Sequence, residues 1–143
     1  MTARWAALEC CDIEFEGIPP SEINRFVRKT LGVSARDVLH STLYSDKLGC
    51  FAYTDDTDLS NHVTGTLYAE TVMLDRAYHH AVCLFAHAES GIALTCSLPE
   101  EELGDADLPA LTAWLTALCR SGAACAVQIV SESRIEPLFR FPL

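Results

Sequence analysis

The 143 residues predict an α+β fold: a mainly antiparallel sheet with two helices packed on one face. Three observations carry this. Several short runs alternate apolar and polar residues with period two, two segments place apolar residues at helical spacing, and single glycines stand where each pattern stops. In order the elements read strand, helix, several antiparallel strands, helix, strand. No linker, low-complexity tract or repeat divides them. Residues 1–143 therefore read as one domain, long enough to bury a core without disulfide staples.

The first strand is "CDIEFEG", with Cys11, Ile13 and Phe15 on one face and Asp12, Glu14 and Glu16 on the other. "PPSEINRFVRKTLG" is a helix opened by prolines and Ser21. Its stripe is Ile23, Phe26, Val27, Thr30 and Leu31, and Gly32 ends it. Strands "DVLHSTLYS" and "CFAYT" flank the turn "DKLG", and "VTGTLYAETVML" follows an acidic loop. The second helix, "DLPALTAWLTALCRSG", has Asp107 as N-cap and Pro109 in its first turn. Leu108, Leu111, Leu115 and Leu118 are its expected core side. "ACAVQIV" reads as a last strand.

Residues 77–96, "AYHHAVCLFAHAESGIALTC", admit two readings. On a helix, His80, Cys83 and His87 share one face and could hold zinc with a fourth ligand. On a strand, Cys83 and His87 stand roughly 13 Å apart and cannot share an ion. Two apolar runs around Ser90-Gly91 favour a hairpin. Its register places Cys83, Phe85 and His87 on a face with Ile92, Leu94, Cys96 and Leu98. Val82, Leu84, Ala86 and Ala88 take the other face, with Ala93, Thr95 and Ser97. Two helices cover only one sheet face, so a bare apolar face predicts a homodimer, with Cys83, Phe85, His87 and Leu94 at its interface. No metal and no cofactor is expected.

Twenty acidic against ten basic side chains give a net charge of -10. That field repels nucleic acid and anionic membrane surfaces and attracts basic proteins. No apolar run approaches the roughly 18 residues of a membrane span. "MTARWAALECC" has no apolar core like that of a secretory signal, so a cytoplasmic location is expected. The seven cysteines lack a CxxC and read as reduced, mostly buried thiols. "DDTDLSN" starts like a calcium loop, but Asn61 replaces the required glycine and Leu67 the closing glutamate, which makes it a solvated loop.

No cysteine stands in a setting that favours its thiolate, and no nucleotide-binding or hydrolase signature occurs, so no catalytic residue is assigned. Glu100, Glu101, Glu102, Asp105 and Asp107 suit the start of the second helix. The stripe Asp12, Glu14 and Glu16, neighbours roughly 7 Å apart, has no such need and is the candidate partner-binding site. The tail 131–143, ending in "SRIEPLFRFPL", is apolar enough that it must dock on its own domain, a sister subunit or a partner.

These residues favour a non-enzymatic, acidic regulator or inhibitor that masks a basic protein, as an immunity protein does. The segment "GIALTCSLPEEELGDADLPALTAWLTALC" resembles the closing strand, acidic connector and helix of bacterial type III secretion chaperones. That resemblance implies a small, acidic, dimeric chaperone. The chain departs from the family in the strand that precedes its first helix and in a segment between the central strands and Gly91 that is short for the family's dimerisation helix. A small enzyme using Cys/His chemistry is the third class.

Overall fold

The structure, a computed structural model, describes residues 10–104 and 107–142. Among the described residues, eight strands form one antiparallel sheet. They are β1 (Cys10–Ile18), β2 (Val38–Ser45), β3 (Gly49–Phe51), β4 (Thr64–Met73), β5 (Ala77–Ala88), β6 (Gly91–Pro99), β7 (Ala126–Ser131) and β8 (Phe139–Phe141). Their spatial order is β3-β2-β4-β5-β6-β1-β7-β8. The helical elements are α1 (20–30), a 3₁₀ turn (Ala35–Asp37), α2 (Glu100–Gly104) and α3 (Leu108–Arg120). The fold is α+β, as the alternation and helical spacing predict.

Period-two alternation sorts the sheet into a covered and an open face. Ile13, Phe15, Leu67, Cys83, Leu94, Leu98, Val127 and Ile129 are buried in one apolar cluster with Ile23, Phe26 and Val27 of α1 and Leu111, Leu115 and Cys119 of α3. Phe15 and Phe26 meet edge to face at 5.1 Å between ring centroids. Asp107 caps α3, its carboxylate accepting from the Ala110 amide at 3.1 Å. On α3 the expected core side rotates slightly: Leu108 is exposed, Leu118 only half-buried, and Cys119 completes the stripe. Helix α1 passes from 3₁₀ through α to π geometry, its π turn bonding the Leu31 amide to the Phe26 carbonyl at 2.9 Å. That widening keeps Phe26, Val27 and Leu31 all buried.

The acidic loop is built, not merely solvated. Tyr53, Leu59 and Val63 bury themselves in the core beside the helices. Asp58 accepts from Asn24 at 2.8 Å and from the Ser60 hydroxyl at 2.6 Å, and these bonds hold its carboxyl below the usual range. Asp55 accepts from the Ala35 amide at 2.8 Å. Arg28 ties α1 to the loop through the Thr57 carbonyl at 2.6 Å. Of the two carboxylates that mimic a calcium loop, Asp56 and Asp58, Asp58 is engaged by the chain's own donors.

Residues 77–96 form the β5–β6 hairpin. Cys83 opposes Cys96, Phe85 opposes Leu94 and His87 opposes Ile92. A turn at Glu89-Ser90 slips the register by two residues from one centred on Ser90-Gly91, and an even slip leaves both faces unchanged. His80 takes φ 62, and the buried residues change parity there, from Ala81, Cys83 and Phe85 to Tyr78. Strand β5 also occupies the place where the chaperone resemblance implies a dimerisation helix.

The expected dimer residues require correction. Cys83, Phe85 and Leu94 are 1%, 5% and 0% exposed. They belong to the core, because the helices and the 52–63 loop cover that face, which carries the larger apolar side chains. His87 lies half-buried on the same side. None of these three buried residues can meet a second copy without unfolding. The face left open is the other one, with Val82, Leu84 and Ala86.

The tail docks within its own chain. β8 pairs with β7 through Val127, Gln128 and Ile129, and the Leu138 amide donates to the Ile129 carbonyl at 2.8 Å. Arg120 of α3 lies over the Phe141 ring, 5.5 Å from its centroid. Ile135 stays fully exposed at the tip of the preceding turn. Asp105, Leu143 and the N-terminal residues 1–9 lie outside the described residues.

Candidate protein-binding face

The register of six strand pairings assembles the open face residue by residue. One row runs Thr42, Thr66, Leu84, Thr95, Glu14, Gln128 and Arg140. The next runs His40, Tyr68, Val82, Ser97, Asp12 and Val130. Tyr44, opposite Thr64, begins a further row. With strands ~4.8 Å apart, the first row spans roughly 29 Å, comparable to one side of a standard protein interface.

The face is divided in character. On β2, β4 and β5 it is aromatic and aliphatic, with Tyr44, Tyr68 and Leu84 all at least 40% exposed. The His40 and Tyr68 rings lie 5.6 Å apart. On β6, between the two, it is small and hydroxylated, with Thr95 and Ser97. On β1 it is acidic. Glu14 accepts from the Gln128 side chain at 2.6 Å, and Gln128 accepts in turn from Arg140 at 3.3 Å. Asp12, Glu14 and Glu16 therefore stand outward on one strand face, as alternation predicts, with Glu14 anchored by its neighbours.

The remaining candidates are not brought together. Among the described residues, no group of three or more His, Cys, Asp or Glu is placed to hold a metal ion. Cys83 and Cys96 touch across the hairpin at 3.8 Å between sulfurs, and that contact, together with burial, raises the Cys96 thiol well above its ordinary range. Cys11, Cys83, Cys96 and Cys119 are buried, while Cys50 and Cys125 are exposed, which alternation in apolar runs did not foretell.

His87 packs against His62 of the loop at 5.2 Å between ring centroids. Its Nε2 is buried without a hydrogen-bond partner among the described residues. Burial lowers its pKa and the neighbouring His62 lowers it further, against a hydrogen bond with the Val63 backbone. Glu102 is structural: it accepts from the His79 amide at 2.6 Å, and its carbonyl accepts from Arg76 at 2.9 Å. Sequence reasoning missed the aromatic half of the face, because β2 and β4 had no assigned register. The alternation of Tyr44 with Leu43 could have shown it.

No protein-family model matches the chain, and no curated protein matches it either. Among solved structures it is similar to a chain of the crystal structure of the toxic C-terminal tip of CdiA from Pseudomonas aeruginosa in complex with immune protein. The TM-score is 0.72 at 11% sequence identity, covering 94% of this chain and 95% of that one. At such an identity the two chains share a fold, along nearly their whole lengths.

Proposed function

We propose that this chain is a non-enzymatic inhibitor of the immunity kind, which binds and masks a basic toxin domain in the cytoplasm. The observation that supports it is the fold shared with a chain of a toxin-tip and immune-protein complex. Of the two roles in such a complex, the net charge of -10 favours the inhibitor. A strongly acidic chain is drawn to a basic surface and can neutralise it. Asp12, Glu14 and Glu16 are the proposed contacts with that partner. The secretion-chaperone reading keeps its likeness over residues 91–119 but lacks the dimerisation helix, whose place is taken by β5.

An inhibitor that protects its producer must be made wherever the toxin is made. The proteins encoded by the genes flanking this one are therefore the ones to test. Each is expressed alone and together with this chain. The expected result is one product that arrests growth alone and does so no longer when the chain is present. Growth arrest by this chain itself, or no neutralisation of any toxic flanking product, would overturn the proposal.

A further inference from the structure

Among the described residues, nothing in the chain covers the open face of the sheet, since α1, α3 and the 52–63 loop all contribute to the core on the opposite side. A single exposed Leu or Tyr on a surface is ordinary, whereas adjacent ones in neighbouring rows make a patch. Tyr68 and Leu84 stand in adjacent rows on adjacent strands, 40% and 43% exposed. Tyr68 is braced by the His40 ring, so little freedom is lost when it is covered. Leu84 lies two strands from Glu14, roughly 10 Å away, within the span of one partner surface.

We propose that Tyr68 and Leu84 are the anchors of the docking face, and that its occupant is a basic protein surface with an apolar centre ringed by Lys and Arg. The apolar centre seats on Tyr68, Leu84 and Thr66, and the cations reach Asp12 and Glu14. This rests on the inhibitor reading above, and the occupant is the masked toxin domain. Charge complementarity selects it over a second copy. The same face of a second copy brings further carboxylates and Arg140, whose Nε already donates to Gln128. Buried aromatic and aliphatic anchors, rimmed by charges, are where binding energy concentrates in protein interfaces.

The test uses the full chain and the flanking-gene product that it neutralises. Leu84→Arg and Tyr68→Arg place a cation against a basic partner, and Ala113→Arg on the exposed side of α3 is the control. Each anchor variant should weaken binding by roughly 30-fold or more, and the control by less than about 3-fold. A photo-cross-linking side chain at position 66, but not at 113, should capture the toxin. This second readout decides the matter if an arginine variant fails to fold. Undiminished binding by both folded anchor variants, with no cross-link from position 66, would overturn the docking face and leave the inhibitor reading intact. A chain that dimerises through position 66, and separates on Leu84→Arg, would give the face to a second copy. If no flanking product is neutralised, the inhibitor reading fails and this proposal with it.

Discussion

At the scale of single residues, the legible ones were those whose role is local. Asp107 follows the helix-cap rule, and Asp12, Glu14 and Glu16 follow strand alternation. His87 was not legible, because its burial depends on His62 and Val63, which reach it from a separate loop. Its pKa is lowered by burial, so the unfolded chain binds a proton more readily than the folded one. The stability that neutral His87 contributes is complete above the unfolded value near 6.5. It is lost as pH falls from there through the lowered folded value. Unfolding midpoints at pH 7.5 and 5 should therefore differ more for the wild type than for His87→Leu, and equal differences would contradict this account. Gly65 is another local constraint. It takes φ 134, and an added Cβ would stand 2.1 Å from the Thr42 carbonyl oxygen. Gly65→Ala should destabilise by about 3 kcal/mol or more in denaturant unfolding.

At the scale of elements, the strands of the central hairpin, the first strand and the second helix could be read because each carries its own period. The faces of β5 and β6 came out correctly from parity alone, and an even register slip could not disturb them. Which of the two faces the helices would take was not readable from the hairpin. It depends on the partner strands β1 and β4, whose inward side chains are the larger apolar ones. β8 escaped notice because its three residues, Phe139–Phe141, are too few for a period. α2 was hidden in an acidic run that looked like a simple helix approach.

Helix α3 offers a direct check of the rotated core side. Leu115→Ala should cost about 2–5 kcal/mol, whereas Leu108→Ala, at an exposed position, should stay within about 0.5 kcal/mol. Removing the cap with Asp107→Ala should cost about 1 kcal/mol, read as a lower melting temperature.

At the scale of the whole molecule, charge and fold meet on one surface. The helices and the built loop close one side of the sheet, and the other side presents an aromatic half beside an acidic half. Composition revealed the net charge, but the gathering of Tyr44, Tyr68 and Leu84 beside the β1 carboxylates appears only once eight strands are in register. The carboxylates sit on a face that no described element covers, and like charges so close repel one another modestly. The triple variant Asp12→Asn, Glu14→Gln and Glu16→Gln should therefore melt within a few degrees of the wild type. Glutamine at position 14 can still accept from Gln128. A large drop in melting temperature would make the carboxylates structural.

The central claim is that an acidic sheet face captures a basic toxin domain, and association kinetics test it most directly. The rate constant for the neutralised flanking-gene product is measured by stopped flow at low and moderate salt, for the wild type and the triple variant. Opposite charges that steer encounter predict a fast wild-type rate that falls steeply with salt, and a slower, flatter response for the variant. Identical rates and salt slopes for the two proteins would contradict the account, because the charge that draws the partner would then lie elsewhere on the molecule.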